Sequence, residues 1–483
     1  MNIISYDYIV VGAGTAGCVI ANRLTEDASV RVLLLEAGGA DRDPLIHIPL
    51  GLGKLWDERL YDWGFDTEPQ PGANDRRLPL PRGKVLGGSS SINAMAYVRG
   101  GPGDYDRWAR NGATGWSFAD VLPYFKRTES WIGGADSHRG GEGPVGTTFT
   151  DPDDPLTEAF ISAGRAAGFP VSDDINGAHQ EGFGRAQATI HRGRRASTAA
   201  AYLRPAMRRP NLTVHTNAHA TRVVIAAGRA TGVEYVRGGV RIHAHAAREV
   251  VLSAGAIHSP QLLALSGIAD ARKLQALGIP VVRDAPGVGS NLQDHMLVAV
   301  AHARTAPGAT QRLLRYDRLA LAMARAYCFG TGPATRIPGG VVGLVRTRDG
   351  LDAPDIQLVI RYTARDAKPW WPLRGPDWVD HITILPGLLH PVSRGSVALA
   401  NADPFTPPLI DPGFLRDPRD VETMVAGIKI ARKVLAQSPL DAWRGPELAP
   451  GSARADDAAL GAYVRATAAT FHHVAGTCRM GSD

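Results

Sequence analysis

Residues 6–27 read "YDYIVVGAGTAGCVIANRLTED", and they decide how the N-terminal part of the chain folds. A β-branched run from Tyr8 to Val11 enters Gly12, Gly14 and Gly17, after which Val19, Ile20, Ala21 and Leu24 fall at helical spacing. The order is strand, tight turn, helix. Gly12 supplies the turn, Gly14 lets a pyrophosphate approach the backbone, and Gly17 allows the helix to pack closely on the strand, with the helix N-terminus facing the phosphates. A second buried strand, "VRVLLLEAGG" at 30–39, ends in Glu36. An acid about 20 residues beyond the glycines is where a ribose hydroxyl is gripped. The pattern predicts a dinucleotide site and leaves NAD and FAD undistinguished.

The remaining totals narrow the class of protein. With 483 residues the chain exceeds what one core usually organises, so two connected domains are expected. The formal charge is +6, but the arginines stand singly or in pairs among Asp and Glu, which argues against a nucleic-acid partner. No apolar run is long enough for a transmembrane segment. Three cysteines, Cys18, Cys328 and Cys478, are too few and scattered for a disulfide framework or a zinc site. The N-terminus lacks the basic region and cleavage site of a secretory signal, and the cytoplasm is the expected location. "HAH" at 243–245 reads as an exposed polar face, so no metal ligand is assigned.

A second glycine run, "PLPRGKVLGGSSSINAMAYVRG" at 79–100, is dense in backbone amides and hydroxyls able to bind a polar or anionic ligand. Together with "GDYDRWARNGATGWSFADVLPYFKRTE" at 103–129 it resembles the glucose-methanol-choline (GMC) family of flavin oxidoreductases, particularly its bacterial choline-dehydrogenase-like and alcohol-dehydrogenase-like members. "GAIHSPQLLALSG" at 255–267, "GVGSNLQDH" at 287–295, "HPVSRGSVALANADPFTPPLIDP" at 390–412 and "HHVAGTCRMG" at 472–481 are similar to successive family segments. The resemblance runs from about residue 6 to the end and is thinnest over 300–380.

The resemblance implies an α/β architecture: a Rossmann-like FAD-binding domain, made of 1–155, 206–300 and 466–483, and an α+β substrate domain with an antiparallel sheet, made of 156–205 and 301–465. It implies FAD as cofactor, with the ADP half on Gly12, Gly14, Thr15, Ala16, Gly17, Glu36 and Ala37. Val85, Gly88, Asn93, Ala94, Met95 and Ala96 match positions beside the flavin, and Val223 is expected to meet the adenine side through its backbone. Some relatives attach FAD through a histidine after the serine run. Ile92 stands there, which favours dissociable FAD. Relatives also continue past "RMG" through elements that bring a second active-site His or Asn, so the present chain is expected to be either shortened or truncated.

Organisation along the chain follows from local patterns. Strand-like segments over 212–255 predict a small meander returning to the dinucleotide sheet through Val250 to Ser253. Ser259-Pro260 predicts the start of a helix closed by Gly267, with His258 and Ser259 as capping residues. "DIQLVIRYT", "HITILPGLL" and "GSVALA" predict strands of an antiparallel sheet roofing the flavin, separated by a Trp/Pro-rich surface loop holding Trp370 and Trp371. Val421, Met424, Ile428, Ala431 and Leu435 fall on one face of a core-facing helix capped near Asp417.

Oxidising an alcohol requires loss of the hydroxyl proton and of a hydride from the carbinol carbon, and histidine is the natural base near neutral pH. Aligning "HHVAGTC" with the family pattern makes His473 the catalytic residue. In an extended stretch adjacent side chains point to opposite faces, so His472 is expected to take a wall or packing role. The reading is FAD-dependent oxidation of a small-molecule alcohol to an aldehyde or ketone, with oxygen or a quinone-like carrier as electron acceptor. A hydroxynitrile-lyase-like enzyme and an inactive shortened member are the alternatives. A serine hydrolase is poorly supported, since "GGSSS" is not a nucleophile elbow and no GxSxG stands in a strand-to-helix setting.

Overall fold

The computed structural model describes residues 5–150 and 154–481. Residues 1–4, 151–153 and 482–483, which belong to the expected FAD-binding segments 1–155 and 466–483, lie outside the described residues. Two sheets organise the chain.

The first is six-stranded. Ser5–Val11 lies at its centre, paired in parallel with Val32–Leu35 on one side and with Val240–Leu252 on the other. Val32–Leu35 is buried at every position, as a parallel strand covered on both faces must be. Val11, Leu35 and Leu252 end together, so Gly12, Glu36 and Ser253 meet at the carboxyl edge of the sheet, where ligands bind in open α/β folds. The helix Thr15–Leu24 follows the glycine turn directly.

The expected meander is confirmed for Ala218–Ala226, Arg229–Arg237 and Val240–Leu252, which pair antiparallel and return through Val250 and Leu252 to Ile9 and Val11. Leu212–His215 is not part of it. That strand crosses to the opposite edge and pairs in parallel with Val32–Leu35, burying Leu212 beside Val32 and Leu34. A left-handed Asn217 lies in the short link between the two strands, and partner choice over so short a run is set by the buried edge it completes rather than by its own pattern.

The second sheet has eight strands, all antiparallel neighbours: Arg444–Ala449, Val300–Arg304, His381–Leu388, Ile356–Arg361, Val341–Val345 and Gly182–Arg185 in order, with Met296–Leu297 and Ala469–Thr470 at one corner. Its back packs on the helices Pro155–Ala166, Pro418–Leu435 and Asp457–Thr467. Val421, Met424, Ile428, Ala431 and Leu435 are buried there as their spacing requires, and Asp417 accepts the Arg419 amide as N-cap. "GSVALA" departs from expectation: Ser396–Ala398 leaves this sheet and pairs only with Leu409–Asp411.

The helix predicted from Ser259-Pro260 begins four residues earlier and spans Gly255–Leu265, leaving Pro260 inside it and His258 and Ser259 within its turns rather than at its cap. Pro260 has no N–H for the Ala256 carbonyl, and the Thr477 hydroxyl takes that carbonyl at 2.6 Å. A contact from the far end of the chain thus makes an interior proline tolerable, and no local signal announces it. Gly267 follows the helix at φ +84°, as predicted.

Candidate active site

The glycine turn is built as its residues demand. Gly12 has φ +95°, and a Cβ on it would stand 2.7 Å from the Ser253 carbonyl. A Cβ on Gly17 would lie 1.9 Å from the Gly12 carbonyl, so this glycine is fixed by packing of helix on turn. Gly14 differs. Its backbone is extended and a Cβ would approach nothing closer than 3.9 Å, so the chain's own packing does not explain it. Gly14 is the N-cap and offers no side chain to the first-turn amides, while Thr15 and Ala16 are exposed.

Glu36 sits behind the turn, 6% exposed, accepting the Ala13 amide at 3.0 Å and the Gly38 amide at 2.8 Å. Burial pushes its pKa up to about 7, against the two amides and Lys84, which favour the charged form. Ala37 follows at the strand end. An uncapped helix N-terminus, a glycine with room over it and a carboxylate at the next strand end fit the diphosphate and ribose of a dinucleotide.

The two glycine loops touch: a Cβ on Gly88 would meet the Gly14 Cα at 2.7 Å. Ser89, the next residue, lines a cavity of about 2020 Å³, and Ile92, Asn93, Ala94 and Ala96 lie along the same wall. A tricyclic ring continuing from the diphosphate has that wall available, so the donors present fit FAD. Met95 turns away at φ +59° and buries its side chain against Ala188 and Ile190. Val85 is buried with Ile46 and Leu55, and Val223, whose amide is taken by Ser266 Oγ at 2.9 Å, packs in the parallel-sheet core. Only backbone atoms of these three remain for a ligand. Arg195, 2% exposed, donates to the carbonyls of Ile46 and Asn93 and to Asn93 Oδ1, and so pins this wall.

His473 reaches the same cavity from the C-terminal segment. Ala469–Thr470 pairs with Met296–Leu297 at the corner of the antiparallel sheet, which brings His295 beside it. The His473 amide donates to Asp294 Oδ1 at 2.7 Å, and the Thr470 hydroxyl bonds Asp294 Oδ2. Asp294 is 2% exposed and its pKa is pushed up to about 6 by burial. The His473 ring stacks on Phe471 at 5.1 Å, and its Nδ1 stands 3.1 Å from Nδ1 of His295. Phe471 in turn fills the space that a side chain on Gly387 would need.

Desolvation by the surrounding protein pushes His473 down to about 3 and His295 to about 4. The His473 ring opens onto the cavity, so the direction is what matters: both rings are neutral at physiological pH.

Contrary to the expectation for an extended stretch, His472 also lines the cavity. Its backbone is left-handed, φ +67°, which rotates it out of simple alternation. Arg82 donates to its carbonyl, its ring meets Trp56 edge-on at 6.0 Å, and desolvation followed by Arg82 lowers its pKa to about 4. The wall role expected of it stands. Trp371 lies on the surface against Tyr316 at 4.4 Å, and Trp370 is tied to the Gln311 carbonyl; neither lines the cavity.

His295, Asp294, Arg82 and Arg195 are functional neighbours to which sequence reasoning gave no role. "NLQDH" was legible as a segment, but only the corner strand pairing shows that its last two residues hold His473.

Comparison with known proteins agrees with this geometry. The GMC oxidoreductase family models match residues 6–297 and 391–483. Mouse mitochondrial choline dehydrogenase is 43% identical over 99% of this chain and 80% of its own length. Oxygen-dependent choline dehydrogenase of Photobacterium profundum is 43% identical over 99% and 84%. The solved structure of pyridoxine 4-oxidase from Mesorbium loti superposes with TM-score 0.88 at 31% identity, over 99% of this chain and 89% of that one. A mixed sheet with a glycine turn at its carboxyl edge, an antiparallel second sheet, a histidine at the cavity and the two matching family models lead to one assignment: this chain belongs to the GMC oxidoreductase family.

Proposed function

We propose that His473 is the base of an FAD-dependent alcohol oxidation and that His295 fixes which of its ring nitrogens is free. The observation that carries this is the Nδ1 to Nδ1 contact of 3.1 Å inside the cavity. Two neutral imidazoles can meet this way only if one carries an N–H there and the other a lone pair. In this reading the His295 ring donates from Nε2 toward the Leu389 carbonyl, whose influence favours a proton on that ring. His295 therefore keeps its proton at Nε2 and accepts at Nδ1, so His473 donates from Nδ1 and its Nε2 is bare.

A bare Nε2 at the cavity takes the hydroxyl proton as the carbinol is oxidised to a carbonyl. Bound FAD supplies the hydride acceptor. Asp294 holds the His473 backbone, Phe471 stacks on its ring, and Arg82 fixes the neighbouring carbonyl, so the base is positioned before substrate arrives.

In this reading 1–155, 206–300 and 466–483 bind FAD, the ADP half on Gly12 to Gly17 and Glu36 and the flavin along Asn93 to Ala96, while 156–205 and 301–465 bind substrate. Met296–Leu297 and Ala469–Thr470 stitch the two parts together, because both strands join the antiparallel sheet. Electrons leave to oxygen or to a quinone-like carrier. All three cysteines are free, which supports a reducing location such as the cytoplasm, and no helix among the described residues is long and apolar enough to cross a membrane.

Anaerobic mixing of the FAD-loaded chain with a panel of alcohols tests the reading. Bleaching of the flavin absorbance by at least one alcohol is expected. Turnover of a cyanohydrin with the flavin remaining oxidised would replace oxidation by lyase chemistry.

A further inference from the structure

The antiparallel sheet gives the cavity an uncompensated positive charge. Along Ile356–Arg361 the side chains alternate, with Ile356, Leu358 and Ile360 buried and Gln357, Val359 and Arg361 on the cavity. Arg365 lines the same cavity four residues on. Arg361 pairs in register with Thr383, which also faces the cavity. Both arginines act on His472, lowering its pKa, and so stand within electrostatic reach of the histidine pair.

Among the described residues no hydrogen bond or ion pair ties the Arg361 or Arg365 side chain to a carboxylate, whereas the buried Arg99 and Arg139 have one. Arg99 and Arg139 share Glu129 at 2.6 and 2.5 Å. Of the carboxylates on the cavity wall, Asp62 bonds Arg59 and the Arg82 amide, Asp66 and Glu58 pair with Arg59 and Lys54, Asp104 with Arg107 and Asp294 with the His473 amide, while Asp57 is exposed to solvent. Arg361 is half-buried on the cavity wall, and burial, with Arg365 beside it, pushes its pKa down to about 10. A desolvated guanidinium is unfavourable until an anion meets it. The dinucleotide phosphates do not meet that need, because the glycine turn at 12–17 is not on the walls of this cavity.

We propose that the substrate is an alcohol that also carries a carboxylate, held by Arg361 and Arg365 while its carbinol faces His473. The planar fork of the half-buried Arg361 guanidinium matches a carboxylate, and the exposed Arg365 adds attraction at the solvent side. A quaternary ammonium alcohol such as the choline in the relatives' names would meet like charge at the same wall. This assignment rests on the alcohol-oxidation reading and sharpens its substrate class.

The test compares 4-(hydroxymethyl)benzoate, its methyl ester and choline as anaerobic reductants of the FAD-loaded chain, alongside calorimetric titration with 4-methylbenzoate, which has no carbinol to oxidise. The acid is expected to half-saturate flavin reduction at a concentration at least about tenfold below the ester, with choline weaker still. Arg361→Met should raise that concentration at least about tenfold for the acid and leave the ester nearly unchanged, while Arg361→Lys restores part of the preference. Unchanged reduction by the ester also shows that the variant is folded and flavin-loaded. 4-Methylbenzoate should bind the wild type and not Arg361→Met. If ester and choline reduce the flavin as well as the acid does, and Arg361→Met affects all three alike, the anion site is overturned and alcohol oxidation stands. If 4-methylbenzoate binds through Arg361 but no alcohol bleaches the flavin, the anion site stands and alcohol oxidation falls.

Discussion

His295 and His473 meet Nδ1 to Nδ1 at 3.1 Å, an arrangement in which one shared proton decides the chemistry of both rings. Replacing His295 by Phe removes the acceptor and frees His473 to hold its proton on either nitrogen. The flavin-reduction rate should fall by roughly 10- to 100-fold, the usual range for losing a partner that orients a reactive ring. His295→Gln keeps an oxygen acceptor and should recover part of the rate. Stopped-flow reduction of the two FAD-loaded variants checks this, and equal rates for Phe and Gln would show that the proton contact is immaterial.

Gly14 and Gly17 should separate cofactor binding from folding. Gly14→Ala places a Cβ where nothing lies within 3.9 Å, in a backbone conformation that alanine accepts, so apo-protein stability should hold while FAD affinity drops. Gly17→Ala drives a Cβ to 1.9 Å from the Gly12 carbonyl and should cost about 1–3 kcal/mol of stability before any cofactor is considered. Urea unfolding of the apo forms and fluorescence titration with FAD read the two effects independently.

Thr477→Val leaves the Ala256 carbonyl without its hydroxyl partner beside Pro260. Thr477 is 1% exposed, so the orphaned acceptor should cost about 1–3 kcal/mol. Thr477→Ser retains the donor and should lie close to wild type in denaturant unfolding.

Acid should weaken the fold through its imidazoles. His258, His295, His472 and His473 all have folded-state pKa values pushed below 6.5 by burial, to about 3, 4, 4 and 3. Below pH 6.5 the unfolded chain takes up protons that the folded chain does not, so stability is lost as pH falls from 6.5 toward 4. Asp294 and Glu36, raised to about 6 and 7, act in the opposite sense but are fewer. The urea midpoint should therefore decline over this window, and a midpoint that is flat or rises on acidification would contradict the burial of these rings.

Much of this architecture is legible because its signals are local. Gly12, Gly14, Gly17 and Glu36 lie on a strand, turn, helix and second strand whose order is fixed by hydrophobic runs and glycine, and they assemble accordingly. The stripe from Val421 to Leu435 reads directly as a buried helix face. What escaped was set by partners distant in the chain. Leu212–His215 chose the edge of Val32–Leu35 over the adjacent meander, Pro260 became helical because Thr477 satisfies Ala256, and His295 gained its role only when Met296 paired with Thr470. His472 escaped for a local reason: a left-handed backbone in a non-glycine residue leaves no mark on polarity alternation.

The most direct measurement is the anaerobic rate of flavin reduction in FAD-loaded His473→Ala, using an alcohol that reduces the wild type. With the base gone and the flavin site intact, the rate should fall by about 10²–10⁴-fold while the bound-flavin spectrum is unchanged. A rate within about threefold of wild type, well below the smallest loss expected of a missing base, would show that the hydroxyl proton leaves by another route.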